Sequence, residues 1–138
     1  MITGYLLGVD VGTTSIKVAI INEKAQLLGM SSSSYKLIIP DQDSVQIDTE
    51  DMWRAYLKCI RLLKDGKGID LSKVVGISIS SLCPGLAALD ENGKVLVDPI
   101  IYSDRRSTEE AEIIKKVVGE DRLFEITANT AMAGAMSG

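Results

Sequence analysis

Residues 6–20 constrain the fold of this chain more than any other stretch. An apolar run ends in the carboxylate of Asp10, a short turn with one glycine and three hydroxyl side chains follows, and a second β-branched run begins at once. This pattern predicts a strand, a tight loop and a second strand. Asp10 would then stand at the end of the first strand, where a carboxylate can hold Mg2+ through water.

The loop itself suits phosphate. Glycine leaves room for a ligand close to the backbone, and the N–H groups and hydroxyls of a short loop match phosphate oxygens. A lysine on the next strand can meet phosphate charge. The candidate phosphate-binding residues are Gly12, Thr13, Thr14, Ser15 and Lys17. The same residue types also suit a plain hairpin turn in which they only satisfy turn geometry, and both interpretations stay open at this point.

The next part of the chain predicts strands and a crossover helix. Strands at 16–22 and 26–36 form an antiparallel meander with the first strand. Apolar residues at helical spacing predict a helix over 48–66, with Trp53 and Cys59 on its buried side. The uncharged β-branched run at 74–79 predicts a strand that is covered on both faces, and the helix allows it to run parallel to the first strand.

The remaining residues predict a hairpin and a second helix. A loop over 80–85 precedes a hairpin at 86–97 and a short strand at 99–102. Ser107 and Glu110 form a capping-box pattern that opens a helix ending at Gly119, and a short helical turn follows at 122–125. Cys83 lies in the 80–85 loop and either lines a pocket or packs as a small apolar residue.

Composition excludes several function classes. The 138 residues carry a net charge of -4 and no basic cluster larger than a pair, which argues against a nucleic-acid surface. The apolar start is broken at Asp10 and has no basic lead-in, which argues against a signal peptide or a membrane span, so we expect a cytoplasmic protein. Because histidine is absent and only two cysteines occur, catalytic Ser-His-Asp and Cys-His sets are excluded and zinc is not expected.

Several segments, in order, resemble the FGGY carbohydrate kinases, which belong to the ribonuclease H-like ATPase superfamily together with actin and the heat-shock chaperones. Tyr102 stands where the family's signature usually has Trp, and Ser44 and Gln46 replace its usual Trp and Glu. The resemblance covers essentially the whole chain. The matching segments are 8–17 with the phosphate loop, 45–53 with the Trp-x-Glu-x-Asp...Trp passage, 75–106 with the Gly-Ile-x-x-Gln run and the Pro-x-Ile-x-Trp-x-Asp-x-Arg signature, and 126–129 with the Ile-Thr-Gly-Asn passage of xylulose kinases.

The resemblance implies an α/β fold of the ribonuclease H-like (actin-like ATPase) type, with three antiparallel strands followed by parallel strands and helices on the faces. It also implies that Asp10 organises Mg2+ and water beside ATP, whose phosphates the loop residues and Lys17 would hold. Asp104 and Arg106 match the signature near the sugar, so they contact the substrate or support its pocket; a plain ion pair at a helix start is the alternative. The family places Gln with Met-His or Arg-Glu where this chain has its 80–85 loop, which makes Ser81 and Cys83 the substrate candidates here.

The implied function is ATP-dependent phosphorylation of a sugar or polyol hydroxyl, with pentuloses such as xylulose as an example. Residues 1–138 would form the amino-terminal lobe, expected to be inactive alone because the family's catalytic base and adenosine-binding segment lie farther along. A small sugar is the expected partner, without nucleic acid or membrane, and a homodimer is compatible with the sequence. The alternatives are an actin-type or heat-shock-type ATPase lobe, a ribonuclease H-type nuclease, which needs further carboxylates for two metals, and a non-catalytic nucleotide-binding module.

Overall fold

The computed structural model of the protein describes residues 4–134. Its strands are β1 (Tyr5–Val11), β2 (Ser15–Ile21), β3 (Leu27–Ser34), β4 (Leu37–Ile38), β5 (Gln46–Ile47), β6 (Val74–Ser81), β7 (Gly85–Leu89) and β8 (Val95–Ile101). Its α-helices are α1 (Thr49–Arg61), α2 (Thr108–Val118) and α3 (Glu120–Thr127), and a π-helical turn (Leu62–Gly66) and a 3-10 turn (Leu71–Lys73) follow α1. No helix among the described residues combines the length and apolar character needed to cross a bilayer.

The chain divides into two compact units. The first comprises Met1–Lys36 and Glu50–Leu82, and the second comprises Leu37–Thr49 and Cys83–Gly138. The first unit holds a sheet with the strand order β3-β2-β1-β6. The pairs β1–β2 and β2–β3 are antiparallel, whereas β1 and β6 are parallel. The predicted meander, crossover helix and parallel strand are therefore confirmed.

One face of the first sheet packs on α1. Side chains alternate along the strands, so every second residue of β1 and β2 turns toward the helix. Cys59 is fully buried, its thiol approaches the carbonyl oxygen of Ile16 at 3.7 Å, and the hydroxyl of Ser31 donates to the Cys59 carbonyl at 3.0 Å. The prediction of Cys59 as a core residue is confirmed. The buried apolar residues of this unit include Leu7, Val9, Ile16, Val18, Ile20, Ala55, Cys59 and Leu63.

The predicted burial of β6 and of Trp53 is wrong for the described chain. Val75, Ile77 and Ile79 are each more than half exposed, and Trp53 is 54% exposed with its ring stacked on Tyr56 at 5.2 Å between centroids. The reason is the position of α1, whose bonds to the sheet are made to β2 and β3. An apolar groove of about 270 Å³ is left between the helix and β6.

The predicted loop at 80–85 is also partly wrong, because Ser80 and Ser81 continue β6 opposite Asp10 and Val11 of β1. Serines without turn-forming glycine or proline between them do not stop a strand that has a partner to pair with. The loop is shorter as a result and comprises 82–84.

The second unit holds an antiparallel sheet with the strand order β4-β5-β8-β7. The hairpin prediction is confirmed, but the segments 95–97 and 99–102, predicted as two strands, form the single strand β8, and the sheet also includes the short strand β4. Proline is tolerated in β8 because only part of that strand pairs on both sides. The buried side chains of Ile47 and Ile101 lie in this sheet.

The helices α2 and α3 close the second unit around a small core of Ala111, Leu123 and Ala131 with Ile114 beside it. The predicted capping box does not form, since Ser107 makes no side-chain cap bond. Thr108 instead donates its hydroxyl to the Arg105 carbonyl at 2.6 Å. The turn predicted at 122–125 is an eight-residue helix.

Candidate functional site

Hydrogen bonds within the protein fix the backbone of the β1–β2 loop, and several donors of the loop have no partner among the described residues. The Gly12 N–H donates to the Ser15 carbonyl at 3.0 Å, and the Tyr35 N–H donates to the Thr14 carbonyl at 3.1 Å. Within the described chain, neither the N–H nor the hydroxyl of Thr13 or Thr14 has a hydrogen-bond partner. A Cβ at Gly12 would lie 3.2 Å from the Ser15 carbonyl oxygen, so the turn is tight at that point. The loop therefore presents free donors on a fixed backbone, which is the arrangement that binds an anion.

A polar row crosses the sheet beside this loop. Asp10 pairs with Lys17 in β2 and with Ser80 in β6, and Lys17 pairs with Ser32 in β3. Directly paired residues share a face of a sheet, so these four side chains lie on one face. The Lys17 ammonium is 3.4 Å from the Asp10 carboxylate, and both side chains are 54% exposed. Asp10 thus faces solvent at the strand end, as the sequence predicts.

Ser78 and Ser80 belong to this surface although the sequence reasoning did not place them there. Together with Asp10 and Lys17 they line a shallow hollow of about 360 Å³. Their alternation in β6 was the available signal, because the carboxyl ends of parallel strands meet at one edge of a sheet. The hollow adds hydroxyl groups to the carboxylate and the ammonium of the row.

Tyr35 is a third residue that the sequence reasoning missed. Its side chain is buried, and its hydroxyl donates to the carbonyl of Gly12. Burial raises the pKa of Tyr35, and the negative charge of Asp10 raises it further. An aromatic residue between Ser34 and Lys36 was the only signal in the sequence. Tyr35 holds the loop in position and keeps its own proton while doing so.

The donor set fits a magnesium ion that is held mainly by water and phosphate. In the described part of the chain, no group of three or more Asp, Glu, Cys or His side chains comes together. Mg2+ is commonly bound through one or two carboxylates with several waters and substrate phosphates, and the exposed Asp10 supplies one such carboxylate. A two-metal nuclease centre needs more carboxylates than this surface offers.

Asp104 and Arg106 form a buried ion pair in the second unit. The carboxylate of Asp104 is 1% exposed and accepts bonds from the Arg106 guanidinium at 2.9–3.0 Å. It also accepts from the N–H groups of Val45, at 2.7 Å, and Arg106, at 3.0 Å. Burial opposes its ionisation, but the bonds from Arg106 and Val45 outweigh burial and lower the pKa of Asp104. This geometry matches a supporting role, since every contact of the carboxylate is made within the protein.

A larger hollow, of about 760 Å³, lies beside this ion pair within the second unit. Arg105 lines this hollow, whereas Arg106 does not. The exposed Cys83 also lines it, which agrees with the prediction that Cys83 lines a pocket and not with the alternative that it packs as a small apolar residue. Ser81 lies in the first unit, at the end of β6. The hollow, called the α2 hollow below, is lined by Cys83, Pro84, Tyr102, Ser103, Arg105, Thr108, Ala111, Glu112, Lys115, Ala131, Met132 and Ala133.

Comparison with known proteins identifies the family. The family model described as "FGGY family of carbohydrate kinases, N-terminal domain" matches residues 5–137. The chain belongs to the FGGY family of carbohydrate kinases. It is 31% identical over 131 residues to a xylulose kinase of Staphylococcus xylosus, covering 94% of this chain and 26% of that protein. It is 30% identical over 125 residues to a gluconokinase of Bacillus subtilis (strain 168), covering 91% of this chain and 24% of that protein.

Solved structures agree with the family assignment. A crystal structure described as a xyloylose kinase from Brucella ovis superposes with a TM-score of 0.84 at 25% identity, covering 94% of this chain and 27% of that one. The predicted ribonuclease H-like α/β fold is confirmed by this likeness. The chain spans about a quarter of the length of these FGGY relatives.

Proposed function

We propose that the chain is the amino-terminal lobe of an ATP-dependent carbohydrate kinase that phosphorylates a hydroxyl of a sugar or polyol. The observation that carries this proposal is the β1–β2 loop, where Thr13 and Thr14 offer unpaired donors next to the exposed Asp10 carboxylate. Membership of the FGGY family supports a kinase over an actin-type or heat-shock-type ATPase. Such an enzyme would act in the cytoplasm, where ATP is supplied.

The loop residues would divide the work on the nucleotide. The N–H groups and hydroxyls of Thr13 and Thr14, with the Ser15 hydroxyl, donate to phosphate oxygens, and Gly12 keeps side-chain atoms out of the tight turn. Asp10 would hold Mg2+ through water, and the ion would supply neutralisation of charge on the phosphates. The Lys17–Asp10 ion pair is half exposed and therefore weak, so Lys17 can exchange it for a phosphate oxygen.

The α2 hollow would bind the acceptor. It offers the exposed ring of Tyr102 together with hydroxyl and cationic groups, a mixture of apolar and polar lining that is typical of small-ligand sites. Cys83 borders the hollow, and the Asp104–Arg106 pair fixes the turn that follows β8. Ser81 at the end of β6 stays a proposed substrate contact. Xylulose and gluconate, the substrates in the names of the relatives, are both small polyhydroxy compounds.

The general base would come from further polypeptide of a longer protein. In the described chain, the one carboxylate that lines the α2 hollow is Glu112, and it is paired with Lys115 at 2.7 Å. A hydrogen bond from Lys115 lowers the pKa of Glu112, which makes it a poor base. The exposed apolar groove between α1 and β6 also supports the proposal that residues 1–138 are one lobe, because such a face favours a covering element.

Nucleotide binding to the 138-residue chain tests the proposal. In NMR spectra, we expect Mg·ATP to shift the backbone amide signals of Thr13 and Thr14. The amide signals of the second unit should stay nearly unchanged. Asp10→Asn should remove the strengthening that Mg2+ gives to ATP binding, whereas Glu23→Gln, which removes an exposed carboxylate from the β2–β3 turn, should not. Unchanged loop amides at millimolar Mg·ATP would overturn the proposal.

A further inference from the structure

The α2 hollow carries a cation that a neutral sugar does not require. We propose that Arg105 is a specificity-determining residue that binds a carboxylate on the acceptor, so that the substrate class of this kinase is a sugar acid. This inference rests on the proposed function and names the acceptor more narrowly. It follows from the contrast between two adjacent arginines.

The side chains of Arg105 and Arg106 are used differently. The guanidinium of Arg106 is committed to the buried Asp104 carboxylate. In the part of the chain that the structure describes, the guanidinium of Arg105 forms no hydrogen bond and no ion pair, and Arg105 is one of the residues that line the hollow. A sequence with two consecutive arginines therefore has one structural guanidinium and one that is available to a ligand.

The backbone of Arg105 is fixed even though its side chain is free. Its N–H donates to the Asp43 carbonyl at 2.7 Å, and its carbonyl accepts from the N–H of Thr108 at 3.1 Å and from the Thr108 hydroxyl at 2.6 Å. The guanidinium thus starts from an anchored Cα at the rim of the hollow. A planar guanidinium on a fixed backbone is suited to bidentate recognition of a carboxylate.

The other charges of the hollow do not neutralise Arg105. Lys115 and Glu112 also line it, but they pair with each other at 2.7 Å, so their charges cancel locally. Lys115 lies 4.0 Å from Glu120 as well, which holds the ammonium toward α3. The side chains that line the hollow therefore carry a net charge of one positive unit, which comes from Arg105. Hydroxyl groups of a neutral sugar leave that charge uncompensated, whereas a carboxylate compensates it.

A matched pair of ligands isolates the carboxylate. D-gluconate and D-glucitol have the same carbon chain and the same remaining hydroxyls, and they differ in a carboxylate against a hydroxymethyl group. Binding to the 138-residue chain is measured by calorimetry and NMR, with D-xylulose as a second neutral ligand. We expect gluconate to bind about tenfold more tightly than glucitol, which is the size of one charge-assisted contact at a partly open site. Higher ionic strength should weaken gluconate binding alone.

Variants assign the preference to Arg105. Arg105→Gln should reduce the ratio of gluconate affinity to glucitol affinity to less than about twofold, and Arg105→Lys should keep part of the gluconate preference. Arg61→Gln, which removes an exposed cation from α1, is the control and should keep the preference intact.

The possible results separate this inference from the proposed function. Equal or tighter binding of glucitol or xylulose, no binding of any of the three ligands, or an equal loss of both ligands in Arg105→Gln would overturn the role of Arg105. If the loop amides still shift with Mg·ATP, the proposed kinase function survives that result. If gluconate binds selectively while Mg·ATP leaves the loop unchanged, the anion site stands and the kinase proposal falls.

Discussion

Replacing Asp104 by Asn should lower the free energy of unfolding of the chain substantially. The carboxylate is 1% exposed, and its oxygens accept bonds from the Val45 N–H, the Arg106 N–H and the Arg106 guanidinium. Asparagine keeps the shape of the side chain but removes the charge. One of its two polar atoms becomes an NH2 group, which then faces a donor instead of accepting from it.

The magnitude follows from these contacts. Hydrogen bonds to a charged group contribute about 1.5–3 kcal/mol, and a buried donor left without an acceptor costs about 1–3 kcal/mol. Arg106 is 37% exposed, so water recovers part of the loss on its side of the pair. We therefore expect Asp104→Asn to cost about 2–3 kcal/mol, which for a domain of this size lowers Tm by roughly 10 °C.

The pH dependence of this loss provides a second, independent readout. The folded-state pKa of Asp104 is lowered, so its contribution to stability is present above the unfolded-state pKa of about 3.9 and disappears as pH falls through the folded-state value. In urea denaturation the gap between the wild-type chain and Asp104→Asn should be constant near neutral pH. It should narrow as the pH is lowered below about 4.

Two comparisons make the reasoning refutable. A double-mutant cycle with Arg106→Gln should give a coupling energy of about 1–2 kcal/mol, because the two side chains contact each other directly. Glu125→Gln removes a carboxylate from an exposed ion pair with Arg122 and should stay within about 0.5 kcal/mol of the wild type. If Asp104→Asn behaves like Glu125→Gln, or if its gap to the wild type does not change with pH, the ion pair does not stabilise the second unit.

Three further predictions concern other parts of the chain. Tyr35→Phe should cost about 1 kcal/mol of unfolding free energy in urea and weaken Mg·ATP binding at the loop, because the Gly12 carbonyl loses its donor. A thiol reagent should modify the exposed Cys83 in the native chain and reach Cys59 only in denaturant, since Cys59 is buried and burial raises its pKa; mass spectrometry counts the labels. Gly134→Ala should destabilise the second unit by several kcal/mol, because a Cβ there would lie 2.7 Å from the Asp104 carbonyl oxygen at a φ of 72°.

Each of these predictions has an internal control. Tyr102→Phe removes a hydroxyl from an exposed ring and should leave stability unchanged. Gly66→Ala adds a Cβ with no atom within 4 Å and should be neutral or mildly stabilising. Rapid labelling of both thiols in the native chain would contradict the buried position of Cys59. Equal stability of the two alanine variants would contradict the close packing at Gly134.

The sequence predicts the local elements well because hydrophobic period and turn chemistry are local properties. The β1–β2–β3 meander, α1 and the parallel strand β6 follow from patterns that span a few residues each. Burial is different, since it depends on which element covers a face. The apolar pattern of β6 is that of a covered strand, but α1 bonds to the sheet at β2 and β3. The position of α1 on the sheet is set by packing and not by the sequence of β6 itself.

The long-range contacts of the supporting residues escape sequence reasoning for a related reason. The hydroxyl of Tyr35 acts on a carbonyl 23 residues away, and Asp104 acts on an N–H 59 residues away. No motif joins such positions in a single sequence. The signature singles out Arg106 in the sequence, but only the fold shows that the Arg106 guanidinium is bound to Asp104 while Arg105 lines the hollow.

The backbone of the Gly12–Ser15 turn agrees with both interpretations of it, the plain hairpin turn and the phosphate loop. The Gly12 N–H closes the turn as it would in any tight hairpin, so the glycine and its bond to Ser15 do not distinguish a phosphate loop from a plain turn. The difference lies in the next two residues, because a turn that serves only the chain has no need of a buried tyrosine bracing it while the N–H groups of Thr13 and Thr14 have no partner in the described chain. Donors that are fixed in place and unpaired favour a ligand, and Asp10 and Lys17 beside them favour a metal-bound polyphosphate.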